Sequence, residues 1–107
     1  MISVAVLYPH SDTLKFDRAY YHATHMKLVR DLWEPMGLRG TRVMHGTPGP
    51  DGKPPAYAVI TLLDFDNTEA FGKAVAAHGK AIMGDVANFT NIQPVMQFSE
   101  IAGQSGH

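Results

Sequence analysis

Two segments of the chain read as strands with apolar residues on both faces, and this feature constrains the fold more than any other. In the first, residues 2–8, the two faces carry Ile2, Val4, Val6 and Tyr8 on one side and Ser3, Ala5 and Leu7 on the other. The segment Tyr57–Phe65 repeats the pattern with Val59, Ile60, Leu62 and Leu63. Side chains alternate between the faces of a strand, so a sheet built on these segments has to be covered on both sides.

The rest of the chain supplies two helices and two more strands. Asp17 is a suitable N-cap, and Pro35 ends the helix that follows it. The other predicted elements are a helix from Asp17 to about Trp33, a strand over 37–46, a hairpin loop over 47–55, a helix from about Thr68 to Met83, an irregular segment over 85–90 and a strand over 92–101.

The order β-α-β-β-α-β predicts an α+β, ferredoxin-like domain with a four-stranded antiparallel sheet. Two helices cover only one face of such a sheet. The other face therefore needs a partner, and a second copy of the same sheet gives a homodimeric α/β barrel. The alternative is a monomer whose 47–55 loop folds over the open face, but that loop is polar and rich in proline. We expect one domain over residues 1–102 and a flexible tail over 103–107.

Composition narrows the classes of partner. Charged residues make up 18% of the 107 residues, below the average of about 25% for soluble domains, which favours a subunit interface. A net charge of −1 supplies no basic field for nucleic acid. The chain has no cysteine, so disulfides, thiolate nucleophiles and cysteine-ligated metals are excluded. No signal peptide or run of about 18 apolar residues is visible, so we expect a cytoplasmic protein without a membrane partner.

Two histidines of the first predicted helix carry the main functional signal. His22 and His25 are three residues apart, so both fall within the apolar stripe of a regular helix, beside Val29 and Leu32. A buried imidazole has two ring nitrogens to satisfy, and its pKa of about 6.5 suits acid–base chemistry near neutral pH. We therefore predict His25 and His22 as catalytic residues. Hydrogen bonds to backbone or tyrosine, without any function, are the alternative.

A third histidine lies on the second predicted helix. His78 falls on the apolar stripe there, so it is a candidate substrate-binding residue that approaches the first two, or else a residue at the helix edge. Three histidines suit zinc or iron, and an inward histidine suits haem. No carboxylate ligand accompanies them on the stripe, and a haem pocket would have to be large. We expect neither a metal nor another cofactor.

Four more residues are candidates for binding a substrate. Tyr21 lies beside the histidine pair, and Trp33 lies on the same stripe, where a core role is more common than a ligand platform. Asn88 and Thr90 precede the last strand. They either bind a ligand or cap the backbone there, which is the commoner role.

The sequence resembles the EthD family in three segments. They are the first helix, Phe16-Asp17-Arg18-Ala19-Tyr20-Tyr21-His22-Ala23-Thr24-His25-Met26-Lys27-Leu28-Val29, the segment Gly40–Gly46, and Asp85-Val86-Ala87-Asn88-Phe89-Thr90-Asn91-Ile92-Gln93-Pro94 before the last strand. The resemblance implies the dimeric α/β-barrel fold and maps the family's helix histidine onto His25. Lys27 stands where a proline is common, which predicts a smoother helix.

The resemblance also implies a link to degradation of ethyl tert-butyl ether beside a cytochrome P450 oxygenase system. Fold alone says little about chemistry, so three functions stay open. The first is a cofactor-free acid–base enzyme acting on a small apolar or aromatic metabolite. The second is a non-catalytic protein that binds a ligand for an oxygenase. The third is a structural dimer without a ligand.

Overall fold

The computed structural model describes residues 1–105 and shows one four-stranded antiparallel sheet with helices on one face. The predicted tail falls partly outside the described residues, at 106–107. The elements are β1 (Ile2–Pro9), α1 (Arg18–Tyr20), a π-helical turn (Tyr21–His25), α2 (Met26–Trp33), a 3₁₀ turn (Glu34–Met36), β2 (Leu38–His45), β3 (Tyr57–Phe65), α3 (Thr68–Gly84), a second 3₁₀ turn (Val86–Asn88) and β4 (Val95–Glu100).

The strand order β2-β3-β1-β4 is that of the predicted ferredoxin-like, α+β fold. The two strands predicted from their apolar faces, β1 and β3, are the central pair, in the register Val4 to Leu63. The prediction for the last strand was wrong at its start, because β4 begins at Val95 and not at Ile92. Pro94 has no backbone N–H to donate to a ladder, so strand pairing begins after it.

Caps and a glycine set the ends of the helices. The Asp17 carboxylate accepts a hydrogen bond from the Tyr20 amide at 3.0 Å, as the sequence predicts. Asn67 does the same for α3 by accepting from the Ala70 amide at 2.8 Å. At the other end of α2, the chain turns into β2 through Gly37, whose φ of 108° lies in the left-handed region.

The core lies between the helices and the inner face of the sheet, defined here as the face that the helices cover. Alternate residues of β1 and β3 are buried there, among them Val4, Val59 and Phe65. Trp33 on α2 donates its indole N–H to the Ala74 carbonyl of α3 at 2.9 Å, so it ties the two helices together. The core ends near β4, where Phe98 is 53% exposed although it contacts Phe71 edge-on.

The outer face of the sheet, opposite the helices, carries an apolar row across all four strands. Ile60 pairs with Met44 on β2 and with Leu7 on β1, and Leu7 pairs in turn with Val95 on β4. Met44 and Val95 are 39% and 52% exposed. None of the helices in residues 1–105 is long and apolar enough to span a membrane.

Candidate functional site

A cavity of about 60 Å³ lies between the inner face of the sheet and helices α2 and α3. Its lining is mainly apolar: Val6, Tyr8, Tyr21, His25, Met26, Val29, Trp33, Thr61, Leu63, Ile82, Met83, Val86, Pro94 and Met96. Ligand sites in proteins usually measure about 300–1,000 Å³, so this one accepts a small molecule or has to widen. Met83 and Met96 are exposed at its rim, and unbranched methionine side chains rearrange easily.

A π-helical turn in the first helical segment positions the two polar aromatic side chains of the cavity. The amide of Met26 bonds to the carbonyl of Tyr21, five residues back, instead of four. Such turns are rare and are often found at functional sites. Here the turn holds the Tyr21 and His25 rings nearly parallel, 20° apart with centroids separated by 5.3 Å, and both side chains are buried.

Asp85 orients the imidazole of His25. The two are joined by a hydrogen bond of 2.9 Å from His25 Nδ1 to Asp85 Oδ2. The carboxylate can only accept, so Nδ1 carries the proton and Nε2 keeps a lone pair. Because His25 lines the cavity, Nε2 is the ring nitrogen available to a ligand. The other carboxylate oxygen, Oδ1, accepts from the Tyr20 hydroxyl at 2.6 Å and from Asn88 Nδ2 at 3.0 Å.

The surroundings keep His25 neutral and Asp85 ionised. Burial lowers the pKa of His25 below its usual 6.5, and the hydrogen bond and charge of Asp85 only partly oppose this. Burial alone would raise the pKa of Asp85, but hydrogen bonds from Tyr20, Asn88 and His25 together bring the pKa below its usual 3.8. At neutral pH the pair is therefore an imidazole beside a carboxylate, which is the form that accepts a proton at Nε2.

Three hydroxyl groups meet on the cavity wall away from Asp85. The Tyr21 hydroxyl bonds to that of Thr61 on β3, and the Tyr8 side chain on β1 lies beside Tyr21 with ring centroids 6.1 Å apart. Burial is the main cause that raises the pKa of both tyrosines above 10. The phenols therefore stay protonated and act as hydrogen-bond donors.

Hydrogen bonds join the segment before the first helix to the segment before β4, and these contacts bring the regions of His25 and Asp85 together. The amide of Asp17 donates to the carbonyl of Phe89 at 2.8 Å, just before the first helix. The Thr90 hydroxyl donates to the carbonyl of Lys15 at 2.6 Å and accepts from the Ile92 amide at 3.1 Å. Thr90 thus holds the backbone of this junction, the commoner of the two roles considered for it. Asn88 is exposed and supports Asp85 instead of lining the cavity.

The structure places His22 outside the cavity, so the expectation that it faces inward was wrong. His22 is exposed, and its Nε2 lies 2.8 Å from Nε2 of His45, at the end of β2. A regular helix brings residues three apart onto one face, but the wider π turn aligns Tyr21 with His25 and turns His22 away. The prediction of a smooth helix missed this turn, although α2 after Lys27 is regular.

His45 is the donor of the pair with His22. Its Nδ1 is buried and has no partner among the described residues. A buried N–H without an acceptor is rarer in proteins than an unused lone pair, so the proton sits on Nε2 and points at His22. The pair ties the π turn to the edge strand β2, and neither His22 nor His45 lines the cavity.

The three predicted histidines do not converge. His78 is half-buried on α3 and is not among the cavity-lining residues. Within residues 1–105, no group of three or more His, Cys, Asp or Glu side chains is placed to hold a metal ion. Of the predicted site residues, the cavity wall contains His25, Tyr21 and Trp33.

Sequence reasoning missed four residues of the site. Tyr8 and Thr61 were assigned only to strands, and Tyr20 and Asp85 were given no role. Asp85 is 60 residues from His25 in sequence, so no helical or strand spacing connects them. The sequence did offer one signal for Asp85. It begins one of the three segments that resemble the EthD family, and His25 lies in another.

Known proteins resemble this chain in sequence and in fold. Residues 11–93 match the family model described as the EthD domain. The structure resembles an EthD-like protein from Ralstonia eutropha JMP134, with 36% identity, a TM-score of 0.91, and coverage of 97% of this chain and 94% of that one. No curated protein matches.

More distant structures share the fold. An ethyl tert-butyl ether (EthD) family protein from Bacillus halodurans C-125 is 21% identical, with a TM-score of 0.65 and coverage of 94% and 98%. A dimeric ferredoxin-like protein from an uncultured marine organism is 9% identical, with a TM-score of 0.55 and full coverage of both chains. The family match spans most of the chain, including His25 and Asp85, and the chain therefore belongs to the EthD family.

Proposed function

We propose that the protein is a cofactor-free acid–base enzyme acting on a small apolar or aromatic metabolite. One observation carries this proposal: His25 lines an apolar cavity while Asp85 holds its Nδ1 at 2.9 Å, which leaves Nε2 for a ligand. In that role His25 Nε2 takes a proton from the bound substrate. The carboxylate of Asp85 orients the ring and stabilises the imidazolium that forms.

The apolar wall supports the proposed substrate class. Met26, Val29 and Trp33 from α2 face Leu63 and Ile82 across the cavity, and they offer contact to hydrocarbon or aromatic groups. The family name refers to ethyl tert-butyl ether degradation, which agrees with a role in the breakdown of such compounds. A neighbouring oxygenase system as supplier or consumer of the metabolite is part of the same proposal.

We further propose that the working form is a homodimer joined through the outer face of the sheet. The helices of one chain do not cover the apolar row that consists of Met44, Ile60, Leu7 and Val95. A second sheet would bury this row. The site lies on the opposite, helix-covered face. Each protomer thus has its own His25–Asp85 pair.

Proton exchange with heavy water tests the enzymatic proposal. We expect the protein to speed deuterium incorporation into one or more members of a panel of small ketones, nitroalkanes and phenols, followed by proton NMR. A His25→Asn variant should reduce this rate by about 10²-fold or more, because general-base catalysis typically contributes 10²–10⁴-fold. His10→Asn, at an exposed histidine outside the cavity, is the matched control and should keep the full rate.

The same panel separates an enzyme from a ligand carrier. Trp33 is the single tryptophan and lines the cavity, so its indole N–H resonance reports binding directly. Saturable shifts of that resonance without any exchange would indicate a non-catalytic binding protein. Exchange that persists in His25→Asn would remove His25 from the mechanism.

A further inference from the structure

The hydroxyl groups of Tyr8, Tyr21 and Thr61, termed here the hydroxyl cluster, have more protons than they use among themselves. The cluster has three O–H protons. Tyr21 bonds to Thr61, and Tyr8 lies beside Tyr21, with no other side-chain partner for its hydroxyl among residues 1–105. The Tyr21–Thr61 bond uses one proton and a contact from Tyr8 to Tyr21 uses at most one more, so at least one O–H remains. Buried tyrosine hydroxyls usually find a partner, and all three residues line the cavity.

The charge of the cavity wall restricts what that partner is. No Lys, Arg, Asp or Glu is among the lining residues, so a carboxylate or phosphate would enter without a cation to balance it. The hydroxyl cluster instead suits a neutral oxygen acceptor. The same O–H groups bind that oxygen more strongly if it gains negative charge during a reaction.

Tyr21 links the two polar features of the cavity, which are the hydroxyl cluster and His25. Tyr21 belongs to the hydroxyl cluster and stacks on His25 at 5.3 Å, so the cluster and the base are neighbours. We propose that the cavity binds neutral, enolisable carbonyl compounds, with the carbonyl oxygen on the hydroxyl cluster and the adjacent C–H group at Nε2 of His25. This inference rests on the proposed acid–base function and specifies its substrate class.

The chemical step balances without an oxidant or a cofactor. His25 Nε2 removes a proton from the carbon next to the carbonyl group. The electron pair of the broken C–H bond forms a carbon–carbon double bond, and the carbonyl π pair moves onto oxygen. The resulting enolate oxygen accepts the hydrogen bond from the cluster. Return of the proton from His25 to carbon completes an exchange or an isomerisation.

Two ligands of matched shape test the proposal, and both require the cavity of about 60 Å³ to widen, for which the methionines at its rim can rearrange. Acetophenone has a carbonyl oxygen where α-methylstyrene has a CH₂ group, so the pair isolates the hydrogen bond from apolar contact. We expect the wild-type protein to bind acetophenone more tightly, with Kd measured from the Trp33 indole resonance. Tyr8→Phe should weaken acetophenone binding about threefold to tenfold, the worth of one neutral hydrogen bond, and leave α-methylstyrene unchanged.

Three controls make the outcome decisive. Tyr57→Phe, at a tyrosine 38% exposed at the start of β3, should change neither Kd. Thr61→Val removes a hydroxyl from the other end of the cluster at nearly constant volume, and it should reproduce the selective loss. Thermal unfolding checks that each variant folds. The phenylalanine ring at position 8 can keep the edge contacts with Phe16, Tyr21 and Phe89.

The possible failures are distinguishable. Equal changes for both ligands in Tyr8→Phe and Thr61→Val, or no change for either, would overturn the role of the hydroxyl cluster and leave His25 untouched. Selective binding without deuterium exchange into the acetophenone methyl group would keep the ligand class and contradict the acid–base function. Failure of acetophenone to bind, with exchange into nitroalkanes or phenols retained, would overturn the carbonyl assignment and leave the acid–base function in place.

Discussion

In the proposed mechanism, Asp85 acts through His25 and does not touch the substrate. Its carboxylate holds the proton on Nδ1, which leaves Nε2 free to accept one. Its charge also limits how far burial lowers the pKa of the imidazole. A base is most effective when its pKa lies near the working pH, so Asp85 is a positioning residue that also tunes the strength of the base.

Replacing Asp85 by Asn should therefore weaken His25 as a base. We expect the pKa of His25 to fall further below 6.5, because the charge and the hydrogen bond that oppose burial are lost. The exchange rate should fall by about 10²-fold or more. Titration of the His25 ring by NMR measures the pKa, and Asp12→Asn at an exposed aspartate is the control. An unchanged His25 pKa would falsify this account of Asp85.

The lowered pKa of His25 also predicts how the stability and the exchange activity of the wild-type protein depend on pH. Between the folded-state pKa and about 6.5, the unfolded chain binds more protons at this position than the folded one. The stability supplied by neutral His25 is complete above 6.5 and is lost as the pH falls through the folded-state pKa. Exchange activity should decline over the same window, since a protonated imidazole cannot accept a proton. Denaturant unfolding and exchange rates across pH 4–8 measure both, and a rate that rises as the pH falls would contradict it.

At the scale of elements, the periodicity of apolar residues predicted the strands and the parts of the helices that have regular geometry. The alternation in β1 and β3 gave the central strands, and the Asp17 cap gave the start of the first helix. Periodicity failed at Tyr21–His25, because a helical wheel assumes one angle per residue and a π turn breaks that assumption. Periodicity could not predict the His25–Asp85 contact either, since tertiary contacts such as the pairing of Phe16 with Thr90 bring those segments together.

Two glycines with opposite surroundings test the packing of these elements. Gly72 lies exposed within α3, and a Cβ there meets no atom within 4 Å. Gly72→Ala should stabilise the protein by about 0.5–1 kcal/mol and raise Tm by about 2–8 °C, because alanine costs less backbone entropy in a helix. Thermal unfolding followed by circular dichroism measures the shift.

Gly46, just after β2, provides the opposite case. A Cβ there would lie 2.3 Å from the Tyr57 carbonyl oxygen and 2.8 Å from Pro55 Cβ. The Gly46 amide also bonds to the Ala58 carbonyl at 2.8 Å, so the strand cannot simply move away. Gly46→Ala should lower stability by about 1 kcal/mol or more, a typical cost of overpacking. Shifts of the same sign in the two variants would contradict this packing.

At the scale of the whole molecule, the fold separates the site from the proposed interface. The cavity lies under the helices on the inner face of the sheet, and the row Met44, Ile60, Leu7 and Val95 crosses the outer face. The sequence pattern predicted that both faces of the sheet are covered, because β1 and β3 are apolar on each side. It could not specify which residues of the inner face surround the cavity, since that depends on how helices and strands pack at atomic distances.

A charge in the middle of the outer row should therefore break the dimer and spare the site. Ile60 is the central member of the row, between Met44 and Leu7, so a carboxylate at this position would be buried without a partner in a dimer. We expect light scattering to give the mass of two chains for the wild type and of one chain for Ile60→Asp. The dissociation constant of the dimer should rise at least about 100-fold, because the buried carboxylate has no partner. Ligand binding reported by Trp33 should persist. Val75→Asp, on the exposed side of α3, is the control and should remain dimeric. A wild-type protein that stays monomeric at high concentration would overturn the proposed dimer.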